Sequence, residues 1–167
     1  MKNKLVLLLL FLLAFVLQTT ILPLYFPLGV RIDLLLVLLV SMSLILGPAS
    51  GSLLVLLTGF LFDLYGVGYL GINSISRLLL GYLSGVMRYS IFPNHILIPV
   101  LAVGMASIFN NFLMALFSER LVFAISSAWL TRQVLPQAMV NMVLTLIVFP
   151  SCQLLVINLE RRRFSRG

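Results

Sequence analysis

The chain has 167 residues, 62% of them hydrophobic and 9% charged, with a mean hydropathy of +1.19. That balance excludes a soluble globular domain and marks an integral membrane protein, since polar faces on every helix would be needed to fold the same length in water. The net charge of +7 comes from basic residues scattered at the ends of apolar runs and from one C-terminal cluster, a pattern that fits an anionic membrane leaflet rather than nucleic acid.

In chain order, MKNKLVLLLLFLLAFVLQTTIL has the charged start and apolar middle of a secretory signal, but QTTILPLYFP offers no small-x-small cleavage site. It therefore reads as a retained first span, residues 5–22, closed by Pro23 and Pro27. Spans at 30–46 and 52–65 follow, joined by the break GPASG; both are short for a hydrocarbon core of ~30 Å at ~1.5 Å per residue. Further spans are expected at 72–87, 96–117 and 134–158, the last two separated by the weakly amphipathic SERLVFAISSAWLTRQ. The fold class expected is an all-α membrane protein, a single domain of about six transmembrane helices with a basic tail at 159–167.

Six spans place both termini on one side. Lys2, Lys4, Arg88, Arg161, Arg162, Arg163 and Arg166 then share that side, against Arg31, Arg120 and Arg132 on the other, so the positive-inside rule makes both termini cytoplasmic. Arg161, Arg162, Arg163 and Arg166 are the candidates for anchoring the tail to the membrane surface.

Two charges fall well inside the predicted spans, Asp63 near the outer end of the third and Arg77 about one and a half turns into the fourth. A lone charge at such depth costs ~2.5–3.5 kcal/mol or more, so the two are expected to pair or to face a polar cavity, with a neutral Asp63 as a third resolution, while Asp33, Glu119 and Glu160 sit at span ends. Pairing favours a latch between helices, or a contact to a partner helix, over a proton relay, which needs several titratable groups in series. Asn73, Arg77, Gly81 and Gly85 recur every four residues and share one helix face; Gly59, Gly71, Asn73, Gly81 and Gly85 are candidates for close packing or partner contact. Asn110 and Asn111 on the fifth span, with Gln137 and Asn141 on the sixth, either line a polar cavity or hydrogen-bond between helices.

No pattern in the chain supports an enzyme, a metal or a cofactor. Cys152 is the only cysteine and lies in an apolar run, and His95 falls in a loop. GVGYLG matches a dinucleotide-binding motif in letters but lacks the strand and helix that the motif requires.

The order GFLFDLYGVGYLGINSISRLLLGYLSG, followed by a short basic loop and a long apolar helix, resembles the MreD family of the bacterial rod-shape system. The most specific elements are the G-x-x-x-D pattern from Gly59 to Asp63, then Gly71 and Asn73, then the small-residue helix with Gly81 and Gly85. The resemblance implies a non-enzymatic subunit of the inner-membrane machinery that builds lateral-wall peptidoglycan, partnered by a single-span MreC-like protein. It implies indirect association with the MreB filament, RodA and a class B penicillin-binding protein. It also implies a six-helix bundle similar to the substrate-binding subunits of energy-coupling-factor transporters. The alternative that follows is a small-molecule or lipid-binding transport subunit, in which Asp63, Arg77, Asn110, Asn111, Gln137 and Asn141 would converge on one pocket.

Overall fold

The structure is a computed structural model that describes residues 2–22, 32–48, 59–60, 63–64, 71–90, 96–117 and 127–164. Among these residues the regular structure is entirely helical. The described residues form five long helices: α1 (Lys2–Val16), α2 (Leu34–Leu46), α3 (Ile72–Ser90), α4 (Leu97–Phe117) and α5 (Leu135–Phe164). Apart from Gly59–Phe60 and Asp63–Leu64, which are helical, the third expected span lies outside the described residues.

Two of the helices are extended by π-turns. Leu17–Ile21 continues α1, and Ser127–Trp129 leads through Leu130–Val134 into α5 without a break. Part of the segment expected to connect the last two spans is therefore helical. At its other end α5 runs on to Phe164, through the ERRR cluster. Apolarity ends near Asn158, but Leu, Glu and Arg are good helix formers and no glycine or proline intervenes, so the backbone has no reason to stop where hydrophobicity does. The stretches Leu97–Leu116 and Leu130–Leu159 are long and apolar enough to cross a membrane.

Helix α2 is the centre of the bundle. Every residue from Leu35 to Leu44 is buried, as expected of a helix apolar on all sides. One apolar cluster joins its Leu36, Val37, Leu39, Val40 and Leu44 to Leu80 of α3, Ala102, Val103 and Ala106 of α4 and Phe149 of α5. A second joins Leu35, Leu38 and Met42 to Phe11 and Ala14 of α1 and to Cys152 and Val156 of α5.

The directions of the helices follow from contacts at their two ends. Asp33, just before α2, meets Arg77 near the start of α3, while Pro48, just after α2, lies against Gly85 near the end of α3. Those two helices are therefore parallel. Asp33 also meets Asn141 early in α5, and Met42 packs in one cluster with Cys152 and Val156, so α5 runs the same way. Asn111 pairs with Gln137 and Ser107 with Asn141, which makes α4 antiparallel to α5.

Glycine matters where backbones approach. A Cβ on Gly85 would lie 2.4 Å from Pro48 Cα, and the turn there depends on Gly47 at φ +88°. Of the small residues expected to pack closely or to meet a partner, Gly85 packs closely within the chain; Gly81, one turn earlier on the same face, is also buried.

Candidate functional site: a polar network at one end of the bundle

The polar side chains that sequence places inside the spans gather at the end where α2, α3 and α5 begin and where α1 and α4 finish. Asp33 is the hub. As the N-cap of α2 it accepts from the Leu36 N–H at 3.0 Å, one of the donors that a helix start leaves without an intrahelical partner. Nη2 of Arg77, on α3, donates to both carboxylate oxygens of Asp33, at 3.2 and 3.0 Å. Asp33 and Arg77 are 6% and 2% exposed, so neither charge can be repaired by water.

Gln18 closes the hub from α1. Its Nε2 donates to Asp33 Oδ1 at 3.2 Å, and its Oε1 accepts the Leu35 N–H at 2.9 Å. Gln18 lies in the π-turn, where the widened helix re-aims a side chain. From α5, Asn141 Oδ1 accepts the Asp33 N–H at 3.2 Å, and Asn141 Nδ2 donates to Ser107 Oγ on α4 at 2.9 Å. Asn111 extends the chain of bonds, donating to the Ser107 carbonyl at 2.9 Å and to Gln137 Oε1 at 3.3 Å. All five helices contribute a side chain or a cap to this network.

The expected pairing of Asp63 with Arg77 is corrected by this geometry. Asp63 instead accepts the N–H groups of Asn73 and Ser74, at 3.1 and 3.0 Å, and the Ser74 hydroxyl. The reason lies in where α3 begins. Gly71, at φ +99°, is its N-cap, the carbonyl that takes the first helical bond from the Ile75 N–H, and glycine has no side chain with which to cap. Asp63 supplies the missing cap from another segment. It can reach because Gly59, one turn earlier, has no side chain: a Cβ there would lie 2.6 Å from Ser74 Cα. Gly59, Asp63, Gly71 and Asn73 thus form one joint, in which Asn73 contributes its backbone N–H.

The pocket required by the transport alternative is not what these residues form. Arg77 and Asn141 both meet Asp33, and Asn111 meets Gln137, so these side chains bond to one another across the helices, while Asp63 is spent on the start of α3. Asn110 is buried, and its Oδ1 has no hydrogen-bond partner among the described residues. Of the basic tail, Arg161 is exposed on the helical extension of α5, and Arg166 lies outside the described residues.

Asp33 and Gln18 were not among the candidates read from sequence. A usable signal existed: the second and fourth predicted spans run in the same direction, so a carboxylate at the outer start of one is level with an arginine just inside the other. Gln18 is a polar residue within the first predicted span, which is also a mark of an intramembrane contact.

The outward faces show which solvent the bundle is built for. On α5, Gln137, Asn141 and Thr145 are 6%, 0% and 0% exposed, whereas Met139, Val143 and Ile147 are 64%, 61% and 67% exposed. Leu97, Leu101, Met105 and Leu116 likewise face outward on α4. Polar stripes turned inward and apolar stripes turned outward suit a lipid surround, where backbone and polar groups must be satisfied within the protein.

Among curated proteins and solved structures, no match to the chain is found. A family model, described as rod shape-determining protein MreD, matches residues 1–158. The chain belongs to the MreD family, a family of membrane proteins that determine rod shape.

Proposed function

We propose that this protein is a non-enzymatic, multi-pass subunit of the cell-elongation complex in the bacterial inner membrane, with six spans and both termini in the cytoplasm. In this reading it scaffolds or regulates lateral-wall peptidoglycan synthesis through an MreC-like single-span partner, and through that partner acts with the MreB filament, RodA and a class B penicillin-binding protein. Catalysis belongs to those partners. The polar network then lies toward the outer leaflet, and Arg161, Arg162, Arg163 and Arg166 lie at the cytoplasmic surface, where each basic residue adds about 1 kcal/mol of attraction to anionic lipid.

The observation that carries this reading is that polar groups from all five helices are consumed in holding the bundle together. A bundle fixed in this way presents a set surface to a partner, which is what a scaffold requires. Together with membership of a rod shape-determining family, it favours assembly over ligand handling.

The test has two arms. Purification in gentle detergent is expected to recover an MreC-like protein with the tagged chain, and depletion is expected to convert rod-shaped cells to rounded ones. Recovery of the chain alone, together with normal shape after depletion, would remove the proposal.

A further inference from the structure

Between α3 and α4 the outer surface of the bundle carries a groove with a volume of about 430 Å³, which reaches from the end opposite Asp33 to the level of Ser107. Its floor is made by Leu80, Ala102 and Ala106, all buried, and its walls include the outward-facing Leu83, Leu101 and Met105. Along α4 the lining runs from Ile98 to Phe109, which at ~1.5 Å per residue is roughly 16 Å. That is about half of a ~30 Å hydrocarbon core, the depth of one leaflet. At one end, Met87 lines the groove, and the next residue, Arg88, is an exposed cation in the last turn of α3.

We propose that this groove is a binding site for one anionic phospholipid, with an acyl chain lying between α3 and α4 and its phosphate received by Arg88. The length of the groove selects this occupant. A partner's transmembrane helix would need a seam through both leaflets, whereas an acyl chain starts at the interface and ends at the midplane. The charge agrees: the apolar trough has its cation at the interfacial end, where a headgroup sits. Arginine suits that role because its planar fork can bind two phosphate oxygens together. Under the orientation proposed above, the lipid belongs to the cytoplasmic leaflet, although the site itself requires only that the bundle spans the membrane.

The experiment uses the full chain in phosphatidylcholine nanodiscs, with Trp129→Phe and Leu101→Trp so that the single tryptophan lies on the groove. Phospholipids brominated along the acyl chain are titrated in as quenchers. Brominated phosphatidylglycerol is expected to quench at a mole fraction about five-fold lower than brominated phosphatidylcholine, and Arg88→Gln is expected to erase that difference. Native mass spectrometry gives a second readout: the unaltered chain should retain one phosphatidylglycerol, and Ala106→Phe, which fills the floor, should retain none. Equal quenching by both lipids, or a preference that survives Arg88→Gln, overturns the proposal. So does quenching abolished by adding an MreC-like partner, which would place a protein helix in the groove, or efficient disulfide formation between two Met105→Cys chains, which would place a second copy there.

Discussion

Asp33 and Asp63 are both buried carboxylates placed at the start of a helix, but they are stabilised by different means. Asp33 caps the helix that follows it directly and also holds the guanidinium of Arg77. Asp63 caps a helix that begins several residues later, and receives two N–H groups and a hydroxyl without a cation. The first arrangement is an ion pair embedded in a network; the second uses the partial positive charge of a helix N-terminus. The contrast shows that a carboxylate inside an apolar bundle does not imply a basic partner. It also predicts unequal consequences of mutation: removing one member of an ion pair strands the other charge, whereas removing a cap leaves only neutral donors exposed.

The largest effect is expected at the pair. Arg77→Leu leaves the Asp33 carboxylate uncompensated and should cost about 3–5 kcal/mol, read as loss of folded protein in a detergent stability assay. Joining it to Asp33→Asn should recover a substantial part of that loss. If the double variant is no better than the sum of the single ones, the pair is not the unit that the structure describes.

Close approach comes next. Gly85→Val inserts branched carbons where even a Cβ lies 2.4 Å from Pro48 Cα, so the α2–α3 contact must open, at about 1–3 kcal/mol. Unchanged stability would mean that this end of the bundle adjusts freely. Asp63→Ala should cost about 0.5–2 kcal/mol as a lost helix cap, and hydrogen exchange should rise at the amides of Asn73 and Ser74 before it rises elsewhere. A loss as large as that of Arg77→Leu would contradict the distinction between the two carboxylates. The smallest change is expected for Asn111→Ala, about 0.6 kcal/mol, because its bond to Gln137 is one link at the edge of the network.

The joint at Gly59 to Asp63 shows how much was legible beforehand. The G-x-x-x-D spacing singled out the segment correctly as one that packs closely, because glycine and aspartate one turn apart share a face. What it packs against was misread. Depth alone suggested Arg77, but α3 begins on a glycine that cannot cap itself, and the donors of that first turn claim Asp63 first. The face formed by Asn73, Arg77, Gly81 and Gly85 does turn into the bundle from Arg77 onward, and periodicity was enough to find it. The C-terminal limit of α5 was not legible in the same way, since hydropathy reports where a membrane could end and not where a helix does.

Sequence alone determined that the chain is helical and built for lipid, because its apolar lengths permit little else, and its ordered motifs pointed to the family that the chain belongs to. It also determined that Arg77 needs a counter-charge or a polar surround, since an isolated cation at that depth is too costly to persist. Only the tertiary structure decided that the counter-charge is Asp33, 44 residues away along the chain. That choice depends on helix direction, depth and rotation acting together. The parallel packing of α2 and α3 brings the start of one helix level with the second turn of the other, and with Gln18 and Asn141 closing around the pair, the charge meets its counter-charge inside the bundle.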